Sequence, residues 1–75
     1  MYAYILISLK DGNEQEVIEE IQESPLVEEA HILFGEWDII IKLRVQTPEE
    51  AGTFVMERVR KINTVRLTST LIVAK

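Results

Sequence analysis

Two short stretches of this chain hold the polar groups that a small charged ligand requires. The first is Gly35-Glu36-Trp37-Asp38, which sets a glycine, an aromatic and carboxylates side by side. The second is Thr68-Ser69-Thr70, three consecutive hydroxyls. An ammonium is matched by a carboxylate, and a carboxylate by hydroxyls or free backbone N–H groups. Together these are the parts of an amino-acid site. Each stretch also has a plainer reading: the first can simply reverse the chain, and threonine is an ordinary strand residue.

No catalytic constellation stands beside them. His31 is the only histidine and reads as a strand or interface residue. Ser8, Ser24 and Ser69 lack the strand–turn–helix context of a nucleophilic serine. Gly12, Gly35 and Gly52 are too scattered for a phosphate loop. Adjacent glutamates such as Glu19-Glu20 and Glu28-Glu29 diverge instead of sharing a proton. Cysteine is absent, which excludes disulfides and thiolate zinc sites. A lone histidine builds no all-histidine metal site, so neither metal nor cofactor is expected.

Eight basic residues face thirteen acidic ones, a net charge of −5. Neutralising phosphates takes lysine and arginine, so direct nucleic-acid binding is not expected. The basic spots Lys42-Arg44 and Arg58-Arg60-Lys61 read as solvated positions or interface pairs. There is no transmembrane run, and the N-terminus lacks the basic region of a signal peptide. A cytoplasmic location away from membranes is therefore expected.

Six elements must position the two polar stretches. Tyr2 to Leu9 reads as a buried strand, closed by the turn cluster Lys10-Asp11-Gly12-Asn13. Asn13 and Glu16 have capping-box spacing for a helix carrying Val17, Ile18 and Ile21 on one face and ending at Ser24-Pro25. Strands follow over Val27–Phe34 and Asp38–Val45. Thr47-Pro48-Glu49-Glu50 starts a second helix, with proline at its first position. Ala51, Phe54, Val55, Val59 and Ile62 trace its apolar stripe, and Asn63 closes it. Gly52 lies off that stripe, where it suits close packing. Thr64 to Ala74 is the last strand. Right-handed crossovers then give an α+β, ferredoxin-like βαββαβ sandwich. Its four-stranded antiparallel sheet carries both helices on one face.

Alternation assigns Ala3, Ile5, Ile7, Leu9, Ile39, Ile41, Leu43 and Val45 to the helix side. The opposite face of the sheet is uncovered within one chain and carries Tyr2, Tyr4, Leu6 and Ile40. Contiguous apolar patches of this kind mark interfaces. With 75 residues, 47% of them hydrophobic, and no disulfide or metal to help, association is the remaining route to stability. A homodimer through the sheets, or through joined sheet edges, is expected.

The chain resembles the ligand-binding RAM domain of the Lrp/AsnC transcription regulators. The resemblance covers nearly all 75 residues. It rests on Gly35-Glu36-Trp37-Asp38-Ile39-Ile40-Ile41-Lys42-Leu43, similar to the family's Gly-x-aromatic-Asp and aliphatic run. It rests also on Val65-Arg66-Leu67-Thr68-Ser69-Thr70-Leu71-Ile72-Val73, on Ala3-Tyr4-Ile5-Leu6-Ile7, and on Ser24-Pro25-Leu26-Val27-Glu28-Glu29-Ala30. Residues 1–75 then form a single RAM-like domain with no helix-turn-helix domain. The resemblance implies sheet-mediated dimers, frequently four dimers in a ring, with an amino-acid effector held between neighbouring dimers near the glycine–aspartate turn. That points to Gly35, Glu36, Trp37 and Asp38, with Thr68, Ser69 and Thr70 as further polar contacts. Asp38 is our match for the ligand's ammonium. The module either co-assembles with a full-length Lrp/AsnC regulator, which supplies the DNA contact, or senses alone. Two alternatives share the architecture: an ACT-type amino-acid-binding domain and a small dimeric αβ-barrel enzyme. The wholly aliphatic helix-side core disfavours the enzyme, which needs a polar cavity within one subunit.

Overall fold

Alternating burial through Ile7 marks Tyr2–Leu9 as the first strand, β1, in a computed structural model that describes residues 1–75. Then follow α1 (Glu14–Ile21), β2 (Val27–Ile32), β3 (Ile39–Arg44), α2 (Pro48–Phe54) and β4 (Val65–Ile72). The strands form one antiparallel sheet in the order β2-β3-β1-β4. This is the expected sandwich. The helices bury Val17, Ile18, Ile21, Ala51, Phe54, Val55 and Val59 against one face of the sheet, in a single core with Ala3, Ile5, Ile7, Ile39, Ile41 and Leu43.

Local chemistry sets the helix starts. Asn13 Oδ1 accepts the Glu16 N–H at 3.3 Å, and Thr47 Oγ1 accepts the Glu50 N–H at 3.1 Å. Glu50 reaches back one residue further than a capping box requires and accepts the Gln46 N–H at 2.9 Å.

The second helix departs from expectation at its other end. Beyond Phe54 it widens into a π-helical segment, Val55–Val59, and it ends at Arg60 instead of continuing to Asn63. The Arg60 N–H donates to Val55 O, five residues back, at 2.8 Å. Extra width of this kind is rare and usually confined to a single turn. Val55 and Val59 are both buried within this segment. Gly52 does not serve close packing, since a Cβ there would meet nothing within 4 Å.

The expected strand boundaries contract by one or two residues at several ends. β2 stops at Ile32 because the chain turns out of the ladder: Phe34 is fully exposed and Gly35 takes φ +127°. That is the chain's only positive φ, in a region where side-chain-bearing residues are strained. The glycine of the turn is thus a conformational requirement.

Candidate functional site

Residues 33–38 join β2 to β3, and Asp38 ties this loop to β1. The Asp38 N–H donates to Ile7 O at 2.9 Å, and Asp38 O accepts the Leu33 N–H at 2.9 Å. Its carboxylate oxygen Oδ2 accepts the Leu9 N–H at 2.7 Å. The acid matched in sequence to a ligand's ammonium is therefore engaged at the end of the central strand. Glu36 carries no hydrogen bond or ion pair and is exposed. Asp38→Ala should cost about 1–3 kcal/mol, because the Leu9 N–H loses its partner. Asp38→Asn, which keeps an acceptor, should cost less. Urea midpoints of the two variants measure the difference.

The turn meets the start of β4. Glu36 and Trp37 line an open recess of ≈ 290 Å³ together with Ser8, Arg66 and Leu67. Arg66 Nη2 donates to the buried Ser8 Oγ at 2.9 Å. A second recess of ≈ 290 Å³ is lined by Arg60, Val65, Arg66, Leu67 and Thr68, so the two share Arg66 and Leu67. Thr68 and Thr70 stand opposite Ile7 and Ile5 on the helix side, whereas Ser69 stands opposite Leu6 on the open side. Within one chain Glu36, Trp37 and Thr68 border these recesses; Gly35 and Asp38 shape the turn; Ser69 and Thr70 line neither recess.

The contact between Arg66 and Ser8 escaped the sequence reading. It depends on an irregularity in the β1–β4 ladder: Ser8 pairs with Leu67 and Leu9 with Val65, leaving Arg66 as the extra residue. Hydrophobic alternation carries no signal for such a bulge.

The open face is apolar along its middle. Tyr4 lies between Lys42 and Leu71, Leu6 between Ile40 and Ser69, and Ser8 beside Leu67. Leu67 and Leu71 are half exposed and extend the patch formed by Tyr2, Tyr4, Leu6 and Ile40. Alternation about Ser69 carried that signal.

A band of charge borders the patch. His31 Nε2 lies 3.1 Å from Glu29 Oε1, Lys42 Nζ 3.6 Å from Glu29 Oε2, and Arg44 3.5 Å from Glu28. Lys42 also sits over the Tyr2 ring at 4.4 Å, a favourable cation–π position. Desolvation opposes the Lys42 charge, but Tyr4, Glu29 and Tyr2 together lift its pKa above the ordinary lysine value. The His31 hydrogen bond, then the Lys42 charge, hold the Glu29 carboxyl below the ordinary glutamate range. Unfolded Glu29 therefore takes up a proton at a higher pH than folded Glu29. Its contribution is complete above the ordinary value of about 4.3 and disappears as pH falls through the lower, folded value. Glu29→Gln should flatten the acid limb of the melting-temperature profile below that pH.

The family model of the Lrp/AsnC ligand binding domain matches residues 2–75. An uncharacterized HTH-type transcriptional regulator of Pyrococcus furiosus is 44% identical over 73 residues, covering 93% of this chain and 49% of that protein. The chain spans about half the length of the curated relatives it matches. The crystal structure of a hypothetical protein from Pyrococcus horikoshii is 35% identical with a TM-score of 0.87, covering 99% of this chain and 89% of that one. The complex of a Neisseria meningitidis transcriptional regulator with L-Met shares the fold, with a TM-score of 0.84 at 21% identity, over 99% of this chain and 49% of that one.

Proposed function

The chain belongs to the Lrp/AsnC ligand-binding domain family, and from that premise we propose that it is a non-enzymatic effector module. In this reading it binds an amino acid where subunits meet and so modulates the transcription regulation of amino-acid metabolism. The observation that carries the reading is the family match over essentially the whole chain. Relatives named as transcriptional regulators support it, as does a fold neighbour that holds L-Met. No helix is long and apolar enough to cross a membrane, and we place the module in the cytoplasm.

Two copies pair through the open sheet face carrying Tyr2, Tyr4, Leu6 and Ile40, and four such dimers can close a ring. The effector lies near Gly35-Glu36-Trp37-Asp38, with Glu36 as the carboxylate free to meet an ammonium. Thr68 supplies a hydroxyl from the same chain, and Ser69 and Thr70 belong to surfaces that a neighbouring subunit completes. DNA contact then comes from a full-length regulator that co-assembles with this domain. A solved Pyrococcus horikoshii chain of nearly matched length shares the fold of residues 1–75.

The effector acts by binding one assembly state more tightly than another. One or a few of the twenty amino acids should therefore raise the melting temperature by mass action, by about 2.7 kcal/mol of stability at a hundredfold excess over Kd. If none does so at millimolar concentration, the effector reading fails.

A further inference from the structure

Arg60 and Arg66 are two of the six basic residues without an ion-pair partner, and they line one recess together. Acids outnumber bases in this chain by thirteen to eight, and Lys42 and Arg44 each have an acidic partner. No ion pair engages Arg60 or Arg66. Both line one recess with Val65, Leu67 and Thr68, and no carboxylate borders it. Its ≈ 290 Å³ is the space of roughly ten water molecules.

Arg66 is held where it is by construction. It is the extra residue of the bulge opposite Ser8 and Leu9, and bulges re-aim side chains. One of its terminal nitrogens donates to buried Ser8 Oγ at 2.9 Å. A guanidinium has five donors in a planar fork that matches a carboxylate. Most of that fork stays free, and Arg66 lines the same recess as Arg60.

We propose that Arg60 and Arg66 form a binding site for the carboxylate of a small organic acid. The two guanidinium groups supply charge and paired N–H donors. The adjoining recess, which shares Arg66 and Leu67, ends in Glu36 and Trp37. One wall is thus cationic and the other acidic and aromatic. Resting on the effector reading, this polarity orients a bound amino acid: α-carboxylate toward Arg60 and Arg66, ammonium toward Glu36 and the Trp37 ring.

Thermal shift and titration calorimetry on the wild-type protein test this with four probe sets at millimolar concentration. These are the twenty L-amino acids, their α-amides, the matching 2-oxo acids and inorganic phosphate. The expected result is stabilisation by at least one carboxylate compound and none by its amide or by phosphate. Arg66→Gln and Arg60→Gln should each weaken that binding about tenfold or more, the usual scale for one charged hydrogen-bond partner. Arg60 makes no side-chain hydrogen bond or ion pair, so Arg60→Gln should keep the unliganded melting temperature and carry the test should Arg66→Gln unfold.

Equal stabilisation by amides or by phosphate overturns the carboxylate site, as does wild-type affinity in Arg60→Gln, or no stabilisation by any carboxylate compound. Stabilisation by amino acids and amides alike would overturn this site and leave the effector reading standing. Stabilisation by 2-oxo acids alone, lost in both variants, would support the site and remove the amino-acid reading.

Discussion

Ile41→Ala is expected to destabilise the protein by about 2–5 kcal/mol, the range for truncating a buried isoleucine. Ile41 is fully buried in β3, paired with Ile5 of β1 on one side and Ala30 of β2 on the other. β3 is an interior strand, so the sheet cannot collapse around the missing atoms without disturbing two ladders. At roughly 0.05–0.15 kcal/mol per residue, a domain of this size holds about 4–11 kcal/mol in all. The substitution therefore removes a large share of that stability, and its melting temperature should fall by tens of degrees or its folded state disappear. Ile41→Val should cost only about 0.5–1.5 kcal/mol. The neighbouring Ile40 points to the other face and is half-buried, so Ile40→Ala should leave the single-chain core intact. Urea denaturation at several protein concentrations would compare the three. Equal losses at positions 40 and 41 would contradict the assignment of faces.

Leu6→Asp is expected to convert the proposed sheet-face dimer into a monomer of 8.7 kDa. Leu6 lies between Ile40 and Ser69 at the middle of the open face. A dimer of standard size buries about 800 Å² per partner, roughly a sixth of the chain's 5006 Å². An unpaired carboxylate at its centre would have to shed water on both subunits, a cost of several kcal/mol. Far-UV circular dichroism should stay native, because the side chain lies outside the helix-side core. Sedimentation velocity at micromolar concentration reads the outcome. A wild-type protein that already sediments at 8.7 kDa, or a variant with the wild-type profile, would remove this face as the interface.

Much of the fold was legible because its signals are local. Alternation in Tyr2–Leu9 placed Ala3, Ile5 and Ile7 under the helices, and the Asn13 and Thr47 caps marked both helix starts. Gly35 was legible as the residue that tolerates a positive φ. The π-helical widening after Phe54 was not. The stripe of Ala51, Phe54, Val55 and Val59 fits an ordinary helix equally well, so hydrophobic spacing carries no signal for it.

The candidate site divides along the same line. The chain by itself determined which residue types can meet a zwitterion and that they cluster in a β2–β3 turn and a hydroxyl-bearing last strand. It also determined the family, because the turn motif and the strands around it are contiguous stretches of sequence. Only the tertiary structure decided which of those groups are free. Asp38 is engaged by the Leu9 N–H and Glu36 is not, and Arg66 of β4 is brought beside Trp37 by a bulge and by Ser8. Such assignments depend on pairings between residues as far apart as Ser8 and Arg66. Those pairings arise from the register of whole strands, and no local pattern encodes them.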